Sequence, residues 1–94
     1  MTSNHDALTR VWAAELGPRG VSENAVAPGL VDTAMLNAAT ARMGEEAVEE
    51  WFARTPLGRL GTTANVAEVV AFLASPDARW VTGQMLDATG GLAP

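Results

Sequence analysis

The sequence predicts an α/β fold of two strands and three to four helices. Three observations predict it. Val66, Val69, Val70 and Leu73 recur at the i, i+3, i+4, i+7 spacing of one helix face. Residues 20–27 and 80–87 are short, partly β-branched stretches closed by Pro28-Gly29 and by the Gly90-Gly91 turn. The helical stretch lies between those two segments, and a helical crossover joins parallel strands. Two strands alone make a poor sheet, since three or more are usually needed. The pattern therefore reads as part of a larger sheet.

Each element follows from its residues. Residues 4–16 form a helix, with Ser3 and Asp6 as a capping box in which Asp replaces Glu or Gln. Leu8, Val11, Trp12 and Leu16 give it an apolar face, and Gly17-Pro18 stops it. Residues 20–27 form a strand that Pro28-Gly29 must end. In residues 34–54, Met35, Leu36, Met43, Val48, Trp51 and Phe52 make an interrupted apolar face, which Gly44 divides into two short helices. Residues 63–74 form the clearest helix, capped by Thr62 or Thr63 and ended by Ser75-Pro76. Residues 80–87 form the last strand.

Composition narrows the function. A chain of 94 residues and 9.8 kDa holds one small domain with a modest core. It has no cysteine, which removes disulfides, thiol nucleophiles and Cys-type zinc sites and fits a reducing cytoplasm. No apolar run is long enough for a transmembrane helix, and the start MTSNHDALTR lacks the pattern of a secretory signal. Eleven acidic residues against six basic ones give a net charge of −5. All six basic residues are arginine, scattered along the chain, so a nucleic-acid surface is not expected. There is no lysine and no tyrosine. Glu45, Glu46, Glu49 and Glu50 read as a solvated face, without the histidine or aspartate that would join them into a metal site. His5 is expected on the surface, and Trp12, Trp51 and Trp80 as packing anchors.

Three stretches carry a resemblance. They are Asn24-Ala-Val-Ala-Pro-Gly29 with Val31-Asp32-Thr33, Pro56-Leu-Gly-Arg-Leu-Gly61, and Val81-Thr-Gly-Gln-Met-Leu-Asp-Ala-Thr-Gly-Gly91. With Ala7-Leu-Thr-Arg10, Ala14-Glu-Leu16 and Pro18-Arg-Gly20, they resemble the short-chain dehydrogenase/reductase family in its order and spacing, from about residue 4 to residue 92. The resemblance implies the C-terminal part of a doubly wound, Rossmann-type parallel sheet. It implies an NAD(P)-dependent oxidoreductase acting on a small carbonyl or alcohol. The family's catalytic Tyr-x-x-x-Lys would fall at the chain's start, with the lysine position at Thr2 and the tyrosine before Met1. Its glycine-rich dinucleotide loop would also lie upstream. The 94 residues are therefore expected to be inactive alone, with no catalytic residue of their own and no bound cofactor, although NAD or NADP serves a full-length relative.

By the same resemblance, Pro28, Gly29, Val31 and Thr33 form the turn that meets the nicotinamide carboxamide or a nearby phosphate. The plainer reading of that turn is a helix cap at Asp32 or Thr33. Residues 34–55 match the substrate lid, in which Met35, Leu36, Met43, Trp51 and Phe52 either line an apolar pocket or pack two helices onto the core. Asn24 reads as a strand-end hydrogen bond. Glu23 stands where the family favours an apolar residue, which implies a weakened or exposed strand. The rival to an enzymatic role is a partner that docks on an intact relative through residues 63–74 and 80–87, or a homo-oligomer. Neither nucleic acid nor membrane is an expected partner.

Overall fold

The computed structural model describes residues 4–29 and 31–92, with Asn4 and His5 described by backbone alone. The expected positions at Thr2 and Ser3, and the side chain of His5, lie outside the described residues. The element order is α1 (Asn4–Leu16), β1 (Ala25–Pro28), α2 (Ala34–Met43), α3 (Glu45–Ala53), α4 (Thr63–Leu73) and β2 (Met85–Ala88). Short 3-10 turns follow α1 at Gly17–Arg19 and α4 at Pro76–Ala78. The four helices and two paired strands are the predicted α/β set.

β1 and β2 run parallel. Ala25 donates to the Gln84 carbonyl at 2.9 Å and Gly29 to that of Ala88 at 3.3 Å, so both residue numbers climb together. Both strands are shorter than expected, starting at Ala25 and Met85 rather than at 20 and 80. Before the ladder begins, side chains share the pairing with one backbone bond, the Gly83 N–H donating to the Glu23 carbonyl at 2.7 Å. The Glu23 N–H donates to Thr82 Oγ1 at 3.0 Å. Asn24 Nδ2 donates to the Val81 carbonyl at 3.2 Å, and the Gln84 N–H donates to Asn24 Oδ1 at 3.0 Å. Asn24 is thus the strand-end bond read from the sequence. Glu23 precedes the strand, as a weakened strand implied, and its Oε2 is buried without a partner.

The described chain forms two compact units, one of residues up to Ala27 with Glu68–Leu86, the other of Pro28–Ala67 with residues from Asp87. In the first unit, α1 does not bury the face its large residues predicted. Leu8, Val11 and Trp12 are 44%, 53% and 47% exposed, whereas Thr9 and Ala13 are buried. Small residues win because they allow close approach: a β-carbon on Gly83 would stand 3.3 Å from Ala13 Cβ. Asp6 accepts from Arg10 Nη2 one turn on at 2.6 Å, and the expected cap partner Ser3 lies outside the described residues. Trp12, Trp51 and Trp80 are all exposed, so none is the expected packing anchor.

Helix α4 starts with a reciprocal cap. The Asn65 N–H donates to Thr62 Oγ1 and the Thr62 N–H to Asn65 Oδ1, both at 3.0 Å. Thr62, not Thr63, therefore caps it, with Asn in the place a capping box gives Glu or Gln. Val66, Val69 and Leu73 are half-buried, while Val70 is exposed. No described helix is long and apolar enough to cross a membrane.

Candidate functional site

The turn after β1 lies within the second unit. Pro28 is the last strand residue, and its ring carries no N–H to extend the ladder. Gly29 follows with its backbone hard against Thr89. A β-carbon there would sit 3.0 Å from Thr89 Cα and 3.2 Å from its carbonyl oxygen. Only glycine brings the two backbones this close.

Val31 forms an isolated parallel bridge with Gly61, made by the Asp32 N–H donating to the Gly61 carbonyl at 3.0 Å. In a parallel ladder the flanking residues make the bonds, so the bridged Val31 turns its own N–H and carbonyl away from Gly61. Thr33 is extended, with φ −139° and ψ 166°, and caps α2 by accepting from the Leu36 N–H at 3.2 Å. The cap is therefore Thr33 rather than Asp32. Accepting that bond uses an oxygen lone pair and leaves the hydroxyl proton as a donor. The cap and a ligand contact are compatible on one side chain.

These groups could hold a carboxamide. A carboxamide presents an acceptor oxygen and an NH₂ donor pair, and the turn offers a hydroxyl donor with the backbone N–H and carbonyl of Val31. The sequence contains no G-x-G-x-x-G run, the pattern that cradles a pyrophosphate. No group of titratable side chains suited to a metal ion exists among the described residues.

The lid set divides. Helices α2 and α3 pack on each other across Gly44, whose φ of 90° lets the chain reverse between them. Leu36 and Phe52 are half-buried. Met35, Met43 and Trp51 are exposed, Met35 by 81%. The helices thus bury part of the apolar set and leave three large side chains on the outside. An open depression of about 670 Å³ lies elsewhere, in the first unit, lined by Val21, Leu73, Pro76, Arg79 and Trp80 among others. It contains none of the predicted site residues.

Sequence reasoning missed the support beneath the turn. Leu57 donates to the Gly90 carbonyl at 3.0 Å, and Gly90 and Gly91 take φ of 65° and 92°. Thr55 is 6% exposed, and its hydroxyl has no hydrogen-bond partner. The Gly90-Gly91 pair was legible as a turn, but Thr55 carried no signal, since an isolated threonine before proline reads as loop.

A family model described as enoyl-(acyl carrier protein) reductase matches residues 4–93. The 3-oxoacyl-(acyl-carrier-protein) reductase FabG of Thermotoga maritima is 45% identical over 85 residues, covering 90% of this chain and 33% of that protein. A crystal structure of a 3-oxoacyl-(acyl-carrier protein) reductase from Brucella melitensis superposes with a TM-score of 0.83 at 41% identity, over 94% of this chain and 31% of that one. A second Brucella melitensis reductase structure, with bound NAD, gives a TM-score of 0.79 at 39% identity over 94% of this chain and 30% of that one. The chain spans about a third of the length of the curated relatives it matches.

Proposed function

Because the chain belongs to the short-chain dehydrogenase/reductase family, we propose that it supplies the nicotinamide-facing turn and the substrate lid of an NAD(P)-dependent oxidoreductase. The substrate class is a small carbonyl or alcohol. The observation that carries this reading is the turn itself, where Gly29 admits close backbone approach and Val31 and Thr33 keep donor and acceptor groups unspent. When bound, the nicotinamide carries the hydride. The chain's own residues bind and orient. Val31 would hold the carboxamide through its backbone, and Thr33 would donate to it from a position locked by the α2 cap. Residues 34–55 would cover the substrate with Met35, Leu36, Met43, Trp51 and Phe52. With no tyrosine or lysine in the sequence, the proton donor of this family's chemistry comes from outside these residues. Purified alone, the chain is expected to oxidise neither NADH nor NADPH above the buffer rate, read at the nicotinamide absorbance. Steady turnover that co-purifies with it would overturn that expectation.

The test of the turn uses a complete reductase domain carrying residues 4–92. There Thr33→Ala should cost about 1–2 kcal/mol of cofactor binding, the scale of one hydrogen bond, and Thr33→Ser should restore it. Unchanged affinity and turnover would leave Thr33 as a helix cap alone.

A second reading is docking on an intact family member through α4 and β2. Val70 and Phe72 favour it, being 50% and 47% exposed on α4. A chain that co-elutes with an intact reductase, and loses this with Phe72→Glu, would replace the enzymatic reading.

A further inference from the structure

One peptide group of the second unit is gripped from both sides. The bond joining Gly61 to Thr62 is trans and planar, so its carbonyl and its N–H point in opposite directions. The carbonyl accepts from the Asp32 N–H at 3.0 Å, in the bridge that places Val31. The N–H donates to Asn65 Oδ1, also at 3.0 Å. That same oxygen takes a second bond, from Arg59 Nη1 at 3.0 Å. Arg59 Nη1 donates as well to the Leu60 carbonyl at 2.9 Å, which fixes the preceding peptide group. Two side chains therefore hold two successive peptide groups, and the second group carries the acceptor on which the turn at residues 31–33 rests. All of these residues lie between Pro28 and Ala67.

A helix cap explains only part of this. The first turn of α4 needs Thr62 Oγ1 to accept from the Asn65 N–H, and the bond back from Thr62 completes a capping box. Arg59 adds nothing to that box, because a cation stands at the unfavourable end of the helix dipole. Its two bonds act on the loop. We propose that Asn65, held in place by Arg59, is a positioning residue for the nicotinamide end. By fixing the Gly61–Thr62 peptide it sets where the Asp32 N–H is anchored, and so where the Val31 backbone and the Thr33 hydroxyl are presented. The proposal rests on the reading of that turn given above. Without Asn65 Oδ1, the peptide plane turns through ψ of Gly61 and φ of Thr62, and a glycine on one side makes that rotation easy. Neither Asn65 nor Arg59 needs to touch the cofactor.

The experiment uses the complete reductase domain carrying residues 4–92. It reads NADH affinity by fluorescence titration and amide exchange at Asp32. Asn65→Ala is expected to weaken NADH binding about fivefold, the scale of one or two exposed hydrogen bonds, and to speed Asp32 exchange. Asn65→Asp keeps the acceptor oxygen and should restore both readings. Arg59→Ala should act in the same direction but less strongly, because the Thr62 N–H bond remains. Thr62→Ala is the control for a purely structural role. It removes the cap's hydroxyl acceptor and keeps the backbone N–H that Asn65 holds. It should lower the melting temperature as Asn65→Ala does and leave NADH affinity unchanged. The proposal is overturned if Asn65→Ala keeps parental Asp32 exchange or parental NADH affinity, if aspartate does not rescue, or if Thr62→Ala weakens NADH binding as much. Should Asn65→Ala not fold, Arg59→Ala set against Thr62→Ala decides between the same outcomes. Thr33→Ala in the same domain keeps the two readings apart. Unchanged affinity there overturns the turn as a nicotinamide contact, whereas a weakened Thr33→Ala beside a parental Asn65→Ala overturns this proposal alone.

Discussion

The two ends of β1 are held by different physics. At its entrance, side chains share the work with the backbone bond from Gly83 to Glu23, Asn24 both donating to and accepting from the backbone of residues 81–84. At its exit, the absence of a side chain does it, because Gly29 lies against Thr89 where a β-carbon would be 3.0 Å from backbone. A hydrogen-bonded clamp loses its contribution one bond at a time. A steric close approach has no partial form: the backbones either touch or must move apart. The exit is also where the candidate site begins. Its backbone has to be placed closely while the groups of Val31 and Thr33 stay available, and a glycine contact does this without consuming any of them.

The largest expected effect tests the exit. Gly29→Ala places a methyl against Thr89 Cα, Cβ and carbonyl oxygen, two of them backbone atoms that cannot rotate away. The cost should be about 1–3 kcal/mol, read as a lowered urea midpoint and faster exchange of the Gly61-bonded Asp32 amide. An alanine variant with parental stability would mean that the strand ends part easily, and the contrast between the two ends would disappear. The entrance should respond less. Asn24→Ala removes two bonds to half-exposed backbone and should cost about 1–2 kcal/mol. Its readout is local, faster exchange at Gln84 and Ala25. Asn24→Asp keeps the acceptor for the Gln84 N–H but sets a carboxylate against the Val81 carbonyl, so it should fall between parent and alanine or below it. An aspartate variant as stable as the parent would show that the bond to Val81 contributes nothing.

Much of the fold was legible, and what was not has a common cause. The spacing in 63–74, the break at Gly44 and the stops at Pro18 and Pro28 are local signals, and the structure has those helices within a residue of their expected ends. Strand onset was not local. Glu23 marked residues 21–24 as weak strand but not where the ladder begins, which Asn24 and Thr82 set through partners about sixty positions away in sequence. The buried face of α1 was misread because periodicity weighs large apolar residues, whereas Ala13 is chosen for closeness to Gly83. The turn at residues 28–33 was legible as a composition of Pro, Gly and a capping threonine. The availability of the Val31 backbone was not, since it depends on bridging to Gly61.

A smaller effect sharpens the exit's role. Thr33→Ala deletes the α2 cap and should cost about 1 kcal/mol, with a lowered helical signal from α2. Thr33→Ser keeps the oxygen and should return nearly all of it. Because the cap uses Thr33 only as an acceptor, and alanine removes acceptor and donor together while serine keeps both, the two roles are told apart by reading the same variants in two settings. Stability should follow the oxygen in the chain alone, and cofactor affinity should follow the hydroxyl donor in a complete domain. Were serine to rescue neither, the lost methyl would be the cause and the cap would carry little weight.

The smallest effect should have the opposite sign. Thr55 is buried beneath the Gly90 turn, with its methyl facing that glycine: a β-carbon on Gly90 would lie 3.1 Å from Thr55 Cγ2. Its backbone is engaged, the N–H donating to Phe52 at 3.0 Å and the carbonyl accepting from Gly58 at 2.9 Å. Its hydroxyl alone has no partner. A buried hydroxyl without a bond has left water for nothing, so replacing it by a methyl of similar shape should relieve that penalty. Thr55→Val is therefore expected to raise stability by about 0.5 kcal/mol, whereas Thr55→Ser keeps the orphan hydroxyl, opens a methyl-sized gap beside Gly90 and should lose about 1 kcal/mol. Urea midpoints of the two variants against the parent decide it. A destabilised valine variant would show that the hydroxyl is satisfied by a buried water, and the Gly90 turn would then rest on a polar bridge like the one at Asn24 rather than on packing.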